Sequence, residues 1–351
     1  MLKYLSKLKQ KIYPLVLFIG CFFITHSASG DWNFFRGSPD MRGIAKNNLK
    51  LPLKLNWDVK IGRSVFATPV ISGEKIFVGN EEGRFVCMDL NTGKILWEHN
   101  TDDIIEGTAC TVSNYVIFGS GDGFLYCMNQ SDGKIKWKYE TDGEILGGVN
   151  LFKSNKDNKL YVLAGSYDNY MHCVSLDDGK LKWKYETQNY VNGAPGIADG
   201  KIYFGGCDAQ IYGIKTEDGK VHTTMDAENY IANSIVVVDS VAYVAHHGNR
   251  VAAFDLKTKK QIWEFGERDF PYFSSPAVTM DSVIAAGRDK RLYKINRKSG
   301  QGIWEFKTGG GIESSPVVSG SNVFVGSGDG SLYAVDICLL YTSDAADELT
   351  S

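Results

Sequence analysis

The sequence predicts an all-β protein, a β-propeller of four-stranded antiparallel blades, and three observations carry that prediction. Tryptophans recur at a period of about forty residues, most follow a Thr-Gly, Asp-Gly or Ser-Gly turn, and each full unit holds four short apolar runs. Seven units can be traced in this chain, and an eighth is conceivable in a longer one.

The period comes first, because self-similarity above twenty residues normally means stacked supersecondary units. Trp57, Trp97, Trp137, Trp183, Trp263 and Trp304 are separated by 40, 40, 46, 80 and 41 residues, and Thr223 stands where the interval of 80 should hold a tryptophan. Around them recur FVCMDLNTGKILWEHNT, LYCMNQSDGKIKWKYET, MHCVSLDDGKLKWKYET and LYKINRKSGQGIWEFKT. An apolar run, a glycine turn and a second run carrying the tryptophan describe a tight hairpin. Two further runs precede each hairpin, as in TPVIS and KIFVGN or SPVVS and NVFVGS, so each unit has the four strands of a propeller blade. The interval of 46 reflects extra residues near 153–159, rich in Lys, Asn and Asp, which are expected at a solvated hairpin tip. The six tryptophans are expected to act structurally, each wedged between neighbouring blades. The strand around Trp57 lacks preceding partners, so it is expected to complete the last blade and remove an exposed edge.

Composition narrows function mainly by exclusion. The 351 residues carry 38 basic and 41 acidic side chains, a net charge of -3, which gives no field to recruit nucleic acid. Residues 1–29 are expected to be an export signal: Lys3, Lys7, Lys9 and Lys11 precede an apolar run from Tyr13 to Ile24, and then Ser27, Ala28 and Ser29. Phe18, Ile19, Gly20 and Cys21 offer a rival lipidation signal, so membrane attachment is expected only through such an anchor or an associated partner. Cys87, Cys110, Cys127, Cys173 and Cys207 make an odd set, which is no disulfide framework; three of them share one repeat position and are expected to be small buried side chains.

Residues 30–56 form an entry segment, and residues 57–336 the propeller. From residue 337 the repeat gives way to ICLLYTSDAADELTS, which resembles translated sequencing-adapter read-through rather than a native strand. The native chain is therefore expected to continue differently after Asp336, which leaves the blade count open.

The repeat, with its Thr-Gly-Lys turn and tryptophan, resembles the PQQ-like (PQQ-binding-like) β-propeller repeat over nearly all of the chain after residue 29. The stretch DWNFFRGSPDMRG at residues 31–43 resembles the FRG entry motif of exported members of that family. The resemblance implies one of two roles. Quinoprotein dehydrogenases hold PQQ and calcium on the propeller axis, whereas BamB-like propellers bind protein partners in the outer-membrane assembly machinery. The large quinoprotein alcohol dehydrogenases carry adjacent cysteines, and this chain has no such pair and no haem-attaching CxxCH. The expectation is a non-catalytic, exported, monomeric binding propeller of the periplasm or cell envelope, or of the extracellular space, with an envelope protein or peptide segment as partner and no cofactor. A PQQ and calcium enzyme, or a small-ligand or carbohydrate-binding propeller, is the alternative.

The binding face is expected where the loops vary from unit to unit, namely those that enter the first strand and those that join the second to the third. The candidates there are Phe66, Ile105, Glu106, Tyr190, Asn192, Tyr230, Asn233, Phe270, Tyr272, Phe273 and Glu313, with Ile145, Leu146 and Ile312 beside them. Glu106, Asn192, Asn233 and Glu313 are also the oxygen donors that calcium would need. The histidine pair His246 and His247 is too small a set for a metal site, and Arg288, Lys290 and Arg291 form a basic cluster expected to be solvated.

Overall fold

Four strands per repeat are what the computed structural model contains, and it describes residues 30–266 and 268–338. The export signal, the lipidation site at Cys21 and the tail beyond Cys338 lie outside the described residues. The strands form six four-stranded antiparallel sheets and a seventh of three strands, each a sequential meander. These are the blades of an all-β propeller, numbered here 1 to 7 in chain order.

Blade 1 illustrates the plan. Its strands are Val70–Ser72, Lys75–Gly79, Arg84–Asp89 and Ile95–Asn100. The third strand alternates against the fourth with Cys87 opposite Trp97, and the register slips between Cys87 and Met88. The same slip recurs at the equivalent position of blades 2 to 6. Cys87, Cys127 and Cys173 are fully buried free thiols at that position, as their size and apolarity predict.

The core lies between sheets. Phe77 and Phe85 of blade 1 pack with Val116, Phe118 and Tyr126 of blade 2, and the Phe85 and Phe118 rings stack at 3.9 Å. Four tryptophan rings each seat on the glycine of the next blade's last turn: Trp97 on Gly133, Trp137 on Gly179, Trp183 on Gly219 and Trp263 on Gly300. A Cβ on these glycines would lie 2.7 to 2.8 Å from the ring, and their φ values of 66 to 74° are left-handed, so two separate constraints demand glycine. Every indole Nε1–H donates to a backbone carbonyl of the same turn, for example Trp137 to Leu176 at 2.9 Å. In blade 4 Thr223 replaces the tryptophan, and the last turn of blade 5 carries Lys259 where those of blades 1 to 4 and 6 carry glycine.

Trp57 behaves as a fastener too, with its ring on Gly93 and its Nε1–H on the Leu90 carbonyl at 3.0 Å. Residues 53–60 nevertheless form no strand, and the seventh sheet has only Val317–Ser319, Asn322–Gly326 and Leu332–Asp336 among the described residues. The expected completion of the last blade by the Trp57 strand is therefore not met. The indole anchors on blade 1 through side-chain contacts that need no strand pairing. Residues 154–159, between the first two strands of blade 3, form the expected solvated tip, and only Ser154 among them is buried.

The chain divides into two compact units. One holds residues 30–41 and 50–237, thus blades 1 to 4 and the loop entering blade 5; the other holds residues 42–49 and the described residues from 238, thus most of blade 5 with blades 6 and 7. In each, the entry segment lies along first strands. Trp32 and Ile71 exchange backbone hydrogen bonds of 2.9 Å, Thr111 N–H donates to Asn33 at 2.9 Å, and Ile197 N–H donates to Pro39 at 2.8 Å. In the other unit Val278 N–H donates to Arg42 at 3.0 Å and Val318 N–H to Gly43 at 2.9 Å. The FRG turn buries Arg36, and desolvation lowers its guanidinium to about 9.

Candidate functional site: the entry-loop face

Meander topology puts the entry loops and the loops between second and third strands at one end of each sheet. Backbone hydrogen bonds stitch them together: Ile105 N–H donates to Asn80 at 2.9 Å, Gly121 to Ile104 at 2.8 Å, and Tyr167 to Glu144 at 2.9 Å. At the tips, Gly107, Gly147 and Gly193 occupy one repeat position. A Cβ on any of them would come within 2.3 to 2.4 Å of the carbonyl oxygen of the next entry loop, so close backbone packing requires glycine there.

A second clamp was not singled out in the sequence, although its spacing is visible there. Asp122 accepts the Tyr126 hydroxyl at 2.6 Å and the Asp102 N–H at 3.2 Å; Asp208 accepts Tyr212 at 2.6 Å and the Gln188 N–H at 3.2 Å. Asp329 with Tyr333 and Asp289 with Tyr293 repeat it in blades 7 and 6. In blade 3 the partner is His172, whose Nε2 lies 2.9 Å from Asp168 while its Nδ1 faces the Tyr139 hydroxyl at 3.0 Å. Burial pushes the Asp168 carboxyl up, but His172 and the backbone N–H groups of Tyr170 and Asp142 outweigh it and hold it below the usual carboxylate range.

The candidates divide by a single-residue offset. Val65, Ile105, Ile145, Val191, Ile231, Tyr272 and Ile312 share one position, and all are buried, none more than 5% exposed. Ile105, Tyr272, Ile145 and Ile312 therefore stand beneath the rim on which they were expected, sealing the sheet ends. Phe66, Tyr190 and Tyr230 one residue away, and Phe270 two residues before Tyr272, point outward. Phe66, Tyr190, Tyr230 and Phe270 are 51, 44, 56 and 48% exposed. Glu106, Leu146, Asn192 and Phe273 are half-buried, Glu313 is exposed and Asn233 is buried.

Two groupings follow, one in each unit. In the blade 1–4 unit Tyr167 and Tyr190 stack at 4.6 Å with planes 4° apart. Burial raises the Tyr167 phenol, Cys207, Glu106 and Glu144 add to that, and a hydrogen bond with Asn192 opposes it. Glu106 itself is held above the usual glutamate range by burial first and then by Glu81 and Glu144. In the blade 5–7 unit the Arg288 guanidinium lies 3.9 Å from the Phe273 ring centroid and 2.7 Å from the Glu313 carboxylate. His247 meets the same ring edge-on at 4.6 Å. His246 is buried and its Nδ1 accepts the Gly248 N–H at 3.1 Å, a loop-shaping role.

A calcium-held quinone does not fit these residues. Of the oxygen donors proposed from sequence, Glu313 is engaged by Arg288 at 2.7 Å and Asn233 is buried. No three His, Cys, Asp or Glu side chains converge among the described residues, and the shared inward position of the entry loops carries aliphatic side chains or Tyr272 rather than an oxygen-rich donor set.

Comparison with known proteins decides the family. The family model described as outer membrane protein assembly factor BamB matches residues 54–189, 146–266 and 247–338. The chain belongs to that family. BamB of Bordetella pertussis is 29% identical over 105 residues, 30% of this chain and 27% of that protein. The quinoprotein ethanol dehydrogenase of Pseudomonas putida is 33% identical over 72 residues, 20% of this chain and 11% of that enzyme. The matched stretches thus span about a quarter or less of these relatives. The crystal structure of BamB from Moraxella catarrhalis superposes with a TM-score of 0.69 at 18% identity, covering 80% of this chain and 85% of that one, which is a likeness of fold. Within the BamB family, then, this chain is a β-propeller whose entry loops present exposed aromatic side chains.

Proposed function

We propose that the protein is a non-catalytic, exported propeller that acts as a protein-interaction scaffold in the cell envelope and binds its partner through the entry-loop face. The observation that carries this reading is the exposure of Phe66, Tyr190 and Tyr230 on the entry loops, with Tyr190 on a loop locked by the close packing of Gly193 and by the Asp208 clamp on the Gln188 N–H. Aromatic side chains held rigidly in solvent lose little entropy on docking and commonly dominate interface energetics. Membership of the BamB family supports an assembly role at the outer membrane.

The test is quantitative capture from a detergent extract of the native envelope, with bound proteins identified by mass spectrometry. The full chain should retain an outer-membrane or periplasmic protein, and Phe66→Ala/Tyr190→Ala/Tyr230→Ala should reduce its recovery at least about tenfold. Unchanged recovery overturns the reading. So does saturable binding of PQQ with calcium accompanied by dye-linked alcohol oxidation, the outcome that the match to an ethanol dehydrogenase would lead one to seek.

A further inference from the structure

Charge is distributed unevenly between the two ends of blades 1 to 4. The loops of the entry face, residues 61–69, 80–83, 101–109, 120–123, 141–149, 166–169, 187–195 and 206–209, contain ten carboxylates and one basic group, Arg63. The turns at the opposite end, residues 73–74, 89–94, 113–114, 129–134, 153–159, 175–180, 199–200 and 215–220, contain nine carboxylates and eight lysines. That end neutralises itself, as in Lys134 with Asp132 at 3.2 Å and Lys180 with Asp178 at 3.0 Å.

The entry face does not. Asp122, Asp168 and Asp208 serve the clamps, and Glu82 faces Arg63 at 3.8 Å. Glu81, Glu106 and Glu144 have no ion-pair partner among the described residues; Glu81 and Glu144 press on Glu106 as like charges, and Glu106 and Glu144 help to raise the Tyr167 phenol. Beside them the Tyr167–Tyr190 stack offers aromatic faces, and Phe66 is half in solvent. Uncompensated carboxylates destabilise the free protein, and a cationic partner recovers that cost on binding. Because the carboxylates sit on separate loops and no three acidic or metal-ligating groups converge on one point among the described residues, they suit several cations spaced along a polypeptide better than one metal ion.

We propose that the entry-loop face of blades 1 to 4 docks a basic segment of a partner protein, in which lysines and arginines meet Glu81, Glu106 and Glu144 and at least one cation lies over the Tyr167–Tyr190 stack. The proposal rests on the scaffold reading above and names the chemistry of its partner. Cation–π contact over exposed tyrosine adds to the ionic attraction.

The experiment measures fluorescence anisotropy of a labelled peptide that alternates Lys and Arg with Leu and Tyr, titrated with the full chain at 50 and 500 mM salt. A second peptide carries Glu in place of every Lys and Arg. The basic peptide should bind saturably and weaken about tenfold or more at high salt, while the acidic one should not bind. Glu106→Gln/Glu144→Gln should weaken binding at least about fivefold without lowering the melting temperature, whereas Asp132→Asn/Asp178→Asn at the opposite end should bind like wild type. Equal binding of both peptides, unchanged binding by the Glu106→Gln/Glu144→Gln variant, or displacement by stoichiometric calcium each overturns the proposal. If that variant still captures the envelope partner while Phe66→Ala/Tyr190→Ala/Tyr230→Ala does not, the scaffold reading survives and the basic-segment proposal falls.

Discussion

The loop face of blades 1 to 4 and that of blades 5 to 7 are built on the same repeat and treat charge in opposite ways. In the second region Arg288 satisfies Glu313 and lies against Phe273, which His247 also contacts, so cation, anion and aromatic ring are used up on one another. In the first, Glu106 faces Glu81 and Glu144, and the Tyr167–Tyr190 stack leaves Tyr190 44% exposed. A common scaffold therefore separates two tasks: one set of loops is closed by internal pairing, and the other keeps unpaired charge and aromatic surface at the expense of stability.

The largest expected effect concerns what the regions share. Trp137→Ala in blade 2 and Trp263→Ala in blade 5 each remove a buried ring and an indole hydrogen bond, so each should cost about 3–5 kcal/mol in urea unfolding. A much smaller loss in one would mean that the blades are not equivalent scaffolds. Next comes the clamp. Asp208→Ala leaves the Tyr212 hydroxyl without its acceptor and frees the Gln188 N–H, and should cost about 1–3 kcal/mol, with faster amide exchange in the loop entering blade 4.

Smaller changes separate the two faces directly. Arg288→Ala should cost about 1 kcal/mol or less, since the ion pair is exposed and the cation–π contact modest, and it should leave the basic peptide's affinity unchanged. Glu106→Gln should instead raise stability by about 0.5 kcal/mol at neutral pH while weakening binding. Its sign follows from linkage. The folded-state pKa is raised, so the stability associated with protonated Glu106 is present below the unfolded value and is lost as pH rises through the folded one. The advantage of glutamine should therefore shrink in acid and grow toward neutrality. Asp168 runs the other way: its pKa is lowered, so its contribution is present above the unfolded value and disappears as pH falls through the folded one. Asp168→Asn should flatten the acid limb of the stability profile, measured as the melting temperature against pH.

Much of this site could be read from sequence, up to a definite point. The loops were identifiable because strand order in a meander assigns each connection to one end, and Phe66, Tyr190, Tyr230 and Phe270 are exposed on them. Ile105 and Tyr272 were grouped with them because residue type alone does not tell which neighbour in a loop turns inward. That direction depends on the backbone path locked by Asn80, Ser120 and their equivalents. The Asp-x-x-x-Tyr spacing was present in the sequence but resembled ordinary turn chemistry until the tyrosine hydroxyls were placed on the carboxylates.

The sequence by itself determined the period, the hairpins, the buried cysteine position and the tryptophan fasteners, because each is a local pattern repeated often enough to rise above chance. Only the tertiary structure decided which loop residues face solvent, how residues 31–49 pair with first strands far away in the chain, and that the Trp57 segment anchors through its ring without forming a strand. Those outcomes rest on contacts between residues remote in sequence, and nothing in a forty-residue period encodes them.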